Sequence, residues 1–126
     1  YYNNTNQSFN FADGVVTASF GSATARALDD VTEDGVTTDG LKTQKKERIK
    51  LQARGYLTPT DWHVIKAIEV ESYSVPAEMT AYRAAVRTAS NDMEALIDAC
   101  STVDELAALY VYTDETRPLG EWPEGV

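Results

Sequence analysis

The sequence predicts a mainly α-helical domain of three to five helices, preceded by a β-hairpin and ending in extended polar termini. Three observations predict it. From residue 41 to about residue 112, apolar side chains recur at three- and four-residue intervals, the period of a helix face. Asp13-Gly14 lies between the apolar runs Phe9–Phe11 and Val15–Phe20, the pattern of a tight hairpin. Residues 1–8 are polar, and residues 113–126 hold Pro118, Gly120, Pro123 and Gly125, which cannot continue a helix. The chain divides into an arm, hairpin and acidic connector (1–40), a helical domain (41–112) and an extended tail (113–126).

Taken in order, Tyr1–Ser8 has too little apolar surface to order itself and depends on something holding it. The Phe9–Phe20 hairpin is marginal alone in water, so it rests on the helices or is completed by strands of another chain. Gly21–Gly40 reads as a connector broken at Gly35 and Gly40, with a short helical turn over Ala23–Leu28. Its carboxylates, Asp29, Asp30, Glu33 and Asp34, form a solvated cluster without the alternating ligands and final glutamate of an EF-hand loop.

Leu41–Arg54 is a helix with Asp39 as its cap, Gly55 as its end and a weak apolar stripe of Leu41, Ile49 and Ala53. Thr60 caps a second helix from Trp62 to about Glu71, with Val64, Ile65 and Ile68 inward. Ser74 and Pro76 open a third. There Val75, Met79, Tyr82, Val86, Ala89, Met93, Leu96 and Cys100 alternate four and three apart, a seam that favours packing within the protomer over a coiled coil between copies. Ser90-Asn91 is a place to interrupt it. Ser101 and Thr102, followed three residues later by Asp104 and Glu105, resemble a capping box for a last helix with Leu106, Leu109 and Tyr110 inward. Trp62, Met79, Tyr82 and Val86 are expected to form one buried cluster, and Arg83 and Arg87 a stripe beside it.

The net charge of −9 argues against a nucleic-acid or anionic-membrane partner, which require a cationic surface. Six bases between residues 41 and 57 face acidic flanks, and either pair within the fold or dock neighbouring copies. Cys100 reads as a small buried hydrophobe. No apolar run approaches the ~20 residues of a membrane span. His63 with Asp61, Glu69 and Glu71 does not converge on a metal or general-base site, because positions 61 and 63 point apart on a helix. Glu69 with Glu71, or Asp92 with Glu94, lacks the cleft that a glycosidase pair requires. No catalytic residue, cofactor or metal is expected.

Leu57, Thr60-Asp61-Trp62, Tyr82-Arg83, Val86, Arg87 and the late Trp122-Pro123 form a pattern. It resembles that of the phage tail assembly chaperone and tail-fibre-associated family of tailed bacteriophages. The likeness is close from Leu57 to Arg87; Met79 stands where that family usually has Trp, and roughly thirty residues separate Arg87 from Trp122 where it more often has a short loop. The resemblance implies a non-enzymatic component of the virion tail or fibre, made in the host cytoplasm, binding other tail or fibre proteins as repeated copies in a symmetric assembly. It also admits a tail-fibre chaperone absent from the mature particle, while size and acidity leave room for a host-directed inhibitor. The interface candidates are Phe9, Phe11, Arg83, Arg87 and Trp122, the last either reaching a neighbouring subunit or folding back on its own helices.

Overall fold

A computed structural model describes the backbone of residues 1–4, 8–12, 15–19 and 23–125, and the side chains of residues 1–2 and 24–125. In chain order it has strands β1 (Tyr2–Asn4), β2 (Ser8–Ala12), β3 (Val15–Ser19), β4 (Ala23–Ala25), β5 (Val31–Glu33) and β6 (Val36–Thr38). Helices α1 (Leu41–Leu57), α2 (Asp61–Glu69), α3 (Ala77–Asp98) and α4 (Val103–Ala108) follow, with a 3-10 turn at Thr58–Thr60. The fold is mainly helical with an N-terminal antiparallel hairpin, as the sequence predicts.

The two long helices, α1 and α3, form the body. Leu41 and Ile49 of α1 meet Met93 and Ile97 of α3, and Cys100, Val103, Leu106 and Leu119 close the core; Ala53 of α1 and Val86 of α3 are also buried. Val86, Ile97 and Leu106 are wholly buried, each contributing about 1.5–3 kcal/mol by leaving water. In α3 the buried line runs through Ile97, whereas Leu96 is 40% exposed. A helix of 3.6 residues per turn drifts from a strict heptad, and packing against α1 selects the neighbouring position. Ser90 does not interrupt α3; it is buried and its hydroxyl bonds Glu94 within the helix. Lys46 pairs with Asp98 at 2.9 Å and Lys50 with Glu94 at 3.4 Å, so the basic helix finds acids inside its own fold. Being solvated, these pairs contribute about 0–1 kcal/mol each.

The first turn of α1 is satisfied by the connector. Leu41 N–H donates to Ala27 O (2.9 Å) and Lys42 N–H to Leu28 O (3.0 Å), while Asp30 accepts from Gly40 N–H (2.8 Å) and the Thr43 hydroxyl (2.7 Å). The cap is therefore Asp30, reaching across ten residues, and not the adjacent Asp39. Those two donors hold the Asp30 carboxyl below the usual carboxylate range. A depressed folded pKa means that Asp30 contributes stability above its unfolded pKa and loses it as pH falls through the folded value. Asp30→Asn should accordingly lower the melting temperature at neutral pH, flatten the acid limb of its profile below about pH 4, and converge with the parent chain at the acid end. An acid limb identical to that of the parent chain would show that other carboxylates govern acid unfolding.

The N-terminal segment is more ordered than its composition predicts. Tyr2–Asn4 pairs with Ala23–Ala25, which is strand and not a helical turn, and Arg26 N–H donates to Tyr1 O at 2.8 Å. β2 pairs antiparallel with β3 from Ser8↔Ser19 to Ala12↔Val15. The start of β1 is anchored. Tyr1 packs on the core with Lys45 Nζ 4.7 Å from its ring centre, and the Tyr2 hydroxyl donates to the Asp104 carboxylate. The side chains of Phe9 and Phe11, and the conformation of Asp13-Gly14, lie outside the described residues. A second hairpin, β5–β6, turns at Asp34 (φ 50°) and Gly35 (φ 76°) inside the expected connector and is exposed on both faces.

Past α4, Thr113 and Thr116 bridge around Asp114 (φ 51°) and Glu115 (φ 66°), and the chain turns back. Leu119 N–H donates to Leu109 O at 3.0 Å, placing the Leu119 side chain in the core. Trp122 packs tilted against Tyr56 with ring centres 5.2 Å apart and donates to Gln52 Oε1 at 3.3 Å. The tail is therefore the fourth side of the body rather than an extended appendage.

Candidate protein-interaction face

Helix α1 continues through Gly55, expected as its end, to Leu57, and Thr58-Pro59-Thr60 then tightens into the 3-10 turn. Pro59 provides the stop, having no N–H for the α-helical ladder. The chain re-enters α2 at Asp61 under the control of one side chain. Arg83, only 8% exposed, extends from α3 and donates through Nη1 to Leu57 O (3.0 Å) and Thr60 Oγ1 (2.5 Å), and pairs with Asp61 Oδ1 (2.9 Å). Thr60 shows no side-chain capping bond to α2; its hydroxyl donates back to Leu57 O at 2.7 Å. Helix α3 begins at Ala77 directly after Pro76, without a bond from Ser74.

The inward face of α2 is its lesser one. His63 and Ala67 are part-buried, and His63 Nδ1 shares a 2.6 Å hydrogen bond with the Tyr73 hydroxyl. Lys66 Nζ lies 4.5 Å from the centre of the Tyr73 ring. The large apolar residues point the other way: Trp62 is 52% exposed, Ile65 55%, Ile68 81%, and Val64 and Val70 are also exposed. Trp62, Ile65 and Ile68, each three residues on from the last, form an apolar row facing water.

This overturns the expected cluster of Trp62, Met79, Tyr82 and Val86. Val86 is buried, Met79 and Tyr82 are only part-buried, and Trp62 stacks on its neighbour His63 with ring centres 3.7 Å apart. The physical reason is the Arg83 tether. It fixes the entry of α2 by its N-terminal turn, which leaves the apolar side of the helix turned out. Arg83 itself, an interface candidate by sequence, is spent on this internal network. Arg87, one turn further along α3, is exposed and makes no hydrogen bond or salt bridge among the described residues. Trp122, also an interface candidate, folds back on α1.

Between α2 and α3, Val64, Val75, Thr80, Arg83 and Arg87 line an open cleft of about 270 Å³. Larger shallow grooves lie between α3 and the tail, around Ala89, Met93 and Gly120, and beside the Thr113–Thr116 turn. Among the described residues no group of three or more His, Cys, Asp or Glu could hold a metal ion, and no helix is long and apolar enough to cross a membrane. Fold and surface together define a helical body presenting one apolar helix to solvent. A scan against protein-family models, a search of curated proteins and a search of solved structures each returned no match for the chain.

Proposed function

We propose that this protein is a non-enzymatic component of a bacteriophage tail or tail fibre that binds other virion proteins through the outer face of α2. The observation that carries the binding role is the row Trp62, Ile65 and Ile68, more than half exposed on a helix held in place from its other side. Contiguous apolar surface on a folded domain marks a site of association. The tail assignment comes from the resemblance over Leu57–Arg87. Within that stretch Arg83 binds Leu57, Thr60 and Asp61 directly.

Protein composition of purified particles tests the tail role: a stoichiometric band of this chain is expected, and its absence would favour an assembly chaperone or a host-directed inhibitor. The double variant Ile65→Ser/Ile68→Ser tests the face. Both side chains are solvated, so stability should change by only about 0.5 kcal/mol, while incorporation into particles is lost. A large fall in melting temperature would place the row in the core and remove it as a binding face.

A further inference from the structure

We infer that α1 and α2 are the two arms of one hinged helix, that Arg83 is the latch of its bend, and that loss of the latch swings residues 61–73 as a unit into line with α1. The backbone on both sides of the junction is already helical: Leu57 (φ −80°, ψ −39°), Thr58 (φ −53°, ψ −46°) and Asp61 (φ −62°, ψ −31°) all lie in the right-handed region. Thr60 departs from it, at φ −106° and ψ −2°, against about −63° and −42° in a regular helix. The bend frees one carbonyl. In a straight helix Leu57 O accepts from Asp61 N–H; here that N–H donates to Thr58 O, and Leu57 O accepts from Arg83 Nη1 (3.0 Å) and the Thr60 hydroxyl (2.7 Å). The same guanidinium nitrogen meets Thr60 Oγ1 and Asp61 Oδ1, so one side chain binds every group that defines the bend. Removing it returns Leu57 O to the helical ladder.

Little else opposes the swing. No residue of α2 is buried, so its movement takes no side chain out of the core. Among the described residues, the Arg83–Asp61 pair is the one ion pair or side-chain hydrogen bond that joins residues 61–73 to α3. The moving part is held together from within: His63 Nδ1 shares its 2.6 Å bond with the Tyr73 hydroxyl, Lys66 Nζ sits over the Tyr73 ring, and Tyr73 N–H donates to Val70 O at 3.0 Å. Tyr73, from which the chain runs on to α3, is thereby tied to the first turn of α2, close to the pivot, and a swing displaces that connection little. Segments with few buried contacts are the first to open in a folded protein. The latch thus sets the direction in which Trp62, Ile65 and Ile68 face, whatever covers them.

Spin labels on Glu47→Cys in α1 and Glu69→Cys in α2, both exposed positions, read the bend by double electron–electron resonance in a Cys100→Ala chain. A straight helix separates these positions by about 33 Å along its axis, and a bent one by less. The parent chain should show a single shorter distance. Arg83→Met keeps an apolar stem in the buried site without its donors, and should move at least about half of the molecules to the longer distance. Pro59→Ala gives the ladder back the N–H that would bond Gly55 O and leaves Arg83 untouched; it should populate the longer distance too, and the two changes together should leave little of the shorter. The long distance already dominant in the parent chain would show that Arg83 latches nothing. The parental distance alone in Pro59→Ala, or in an Arg83→Met chain that still melts cooperatively, overturns the hinge; if Arg83→Met does not fold, Pro59→Ala decides by itself. A broad spread centred on neither distance overturns it as well, since α2 then melts and does not swing.

Discussion

Removing residues 113–126 is expected to lower the melting temperature of the protein by roughly 15 °C, from a loss of about 4 kcal/mol. The segment brings Leu119, 2% exposed, into a core otherwise built from α1, α3 and α4. Burying a leucine that completely is worth about 1.5–3 kcal/mol, and the half-buried Trp122 adds to it through Tyr56 and the body of α1. The deletion also strips Leu109 O of the Leu119 N–H and opens the underside of Met93 and Leu106 to water. Circular dichroism melts of the full chain and of residues 1–112 measure the effect. Leu119→Ala provides the same test without shortening the chain, at about 2–5 kcal/mol. An unchanged melt in both, with assembly lost, would return the tail to the role of a connector between subunits.

Gly40→Ala should cost about 3 kcal/mol, a large effect for one methyl group. Gly40 is buried where the connector crosses the start of α1, and a Cβ there would strike the backbone of Leu28 and Asp29. Neither can yield as a side chain would. The connector would have to lift, and with it would go the bonds from Leu41 to Ala27 and from Lys42 to Leu28 that satisfy the first turn. The backbone dihedrals of Gly40 (φ −75°, ψ 172°) suit any residue, so the cost is purely one of space. Gly55→Ala is the control: nothing lies within 4 Å of its added carbon, and alanine favours the helix by about 1 kcal/mol. If the two variants melt alike, the close approach at Gly40 is not what holds the connector down.

The helices were legible because their signals are local. The reciprocal cap of α4 is one case: Thr102 Oγ1 accepts from Glu105 N–H, while the Glu105 carboxylate reaches back to Ser101 N–H. The Asp34-Gly35 hairpin carried the same dipeptide signal as Asp13-Gly14. It is not legible as a hairpin because its strands are only three residues each and mix Val with Thr and Glu rather than forming an apolar run. What sequence could not supply was long-range. Asp30 as the cap of α1, Trp122 on Tyr56 and Tyr2 on Asp104 are pairings across ten to about a hundred residues, with no periodicity to announce them. The candidate face was half legible. Spacing revealed that one side of α2 is apolar, but an apolar stripe reads the same whether it faces a core or a partner. Only the Arg83 tether decides between them.

That tether separates the residues that recognise from the residues that fold. Ile65 and Ile68 can be exchanged over generations without disturbing Ile49, Met93 or Leu106, because no side chain of the outer row enters the core. Partner choice is then free to drift at the rate set by the partner, while the body evolves under the slower constraint of packing. Arg83, Thr60 and Asp61 are the exception, since they aim the row. Relatives that have changed partners should vary most at 65 and 68 and keep this trio together.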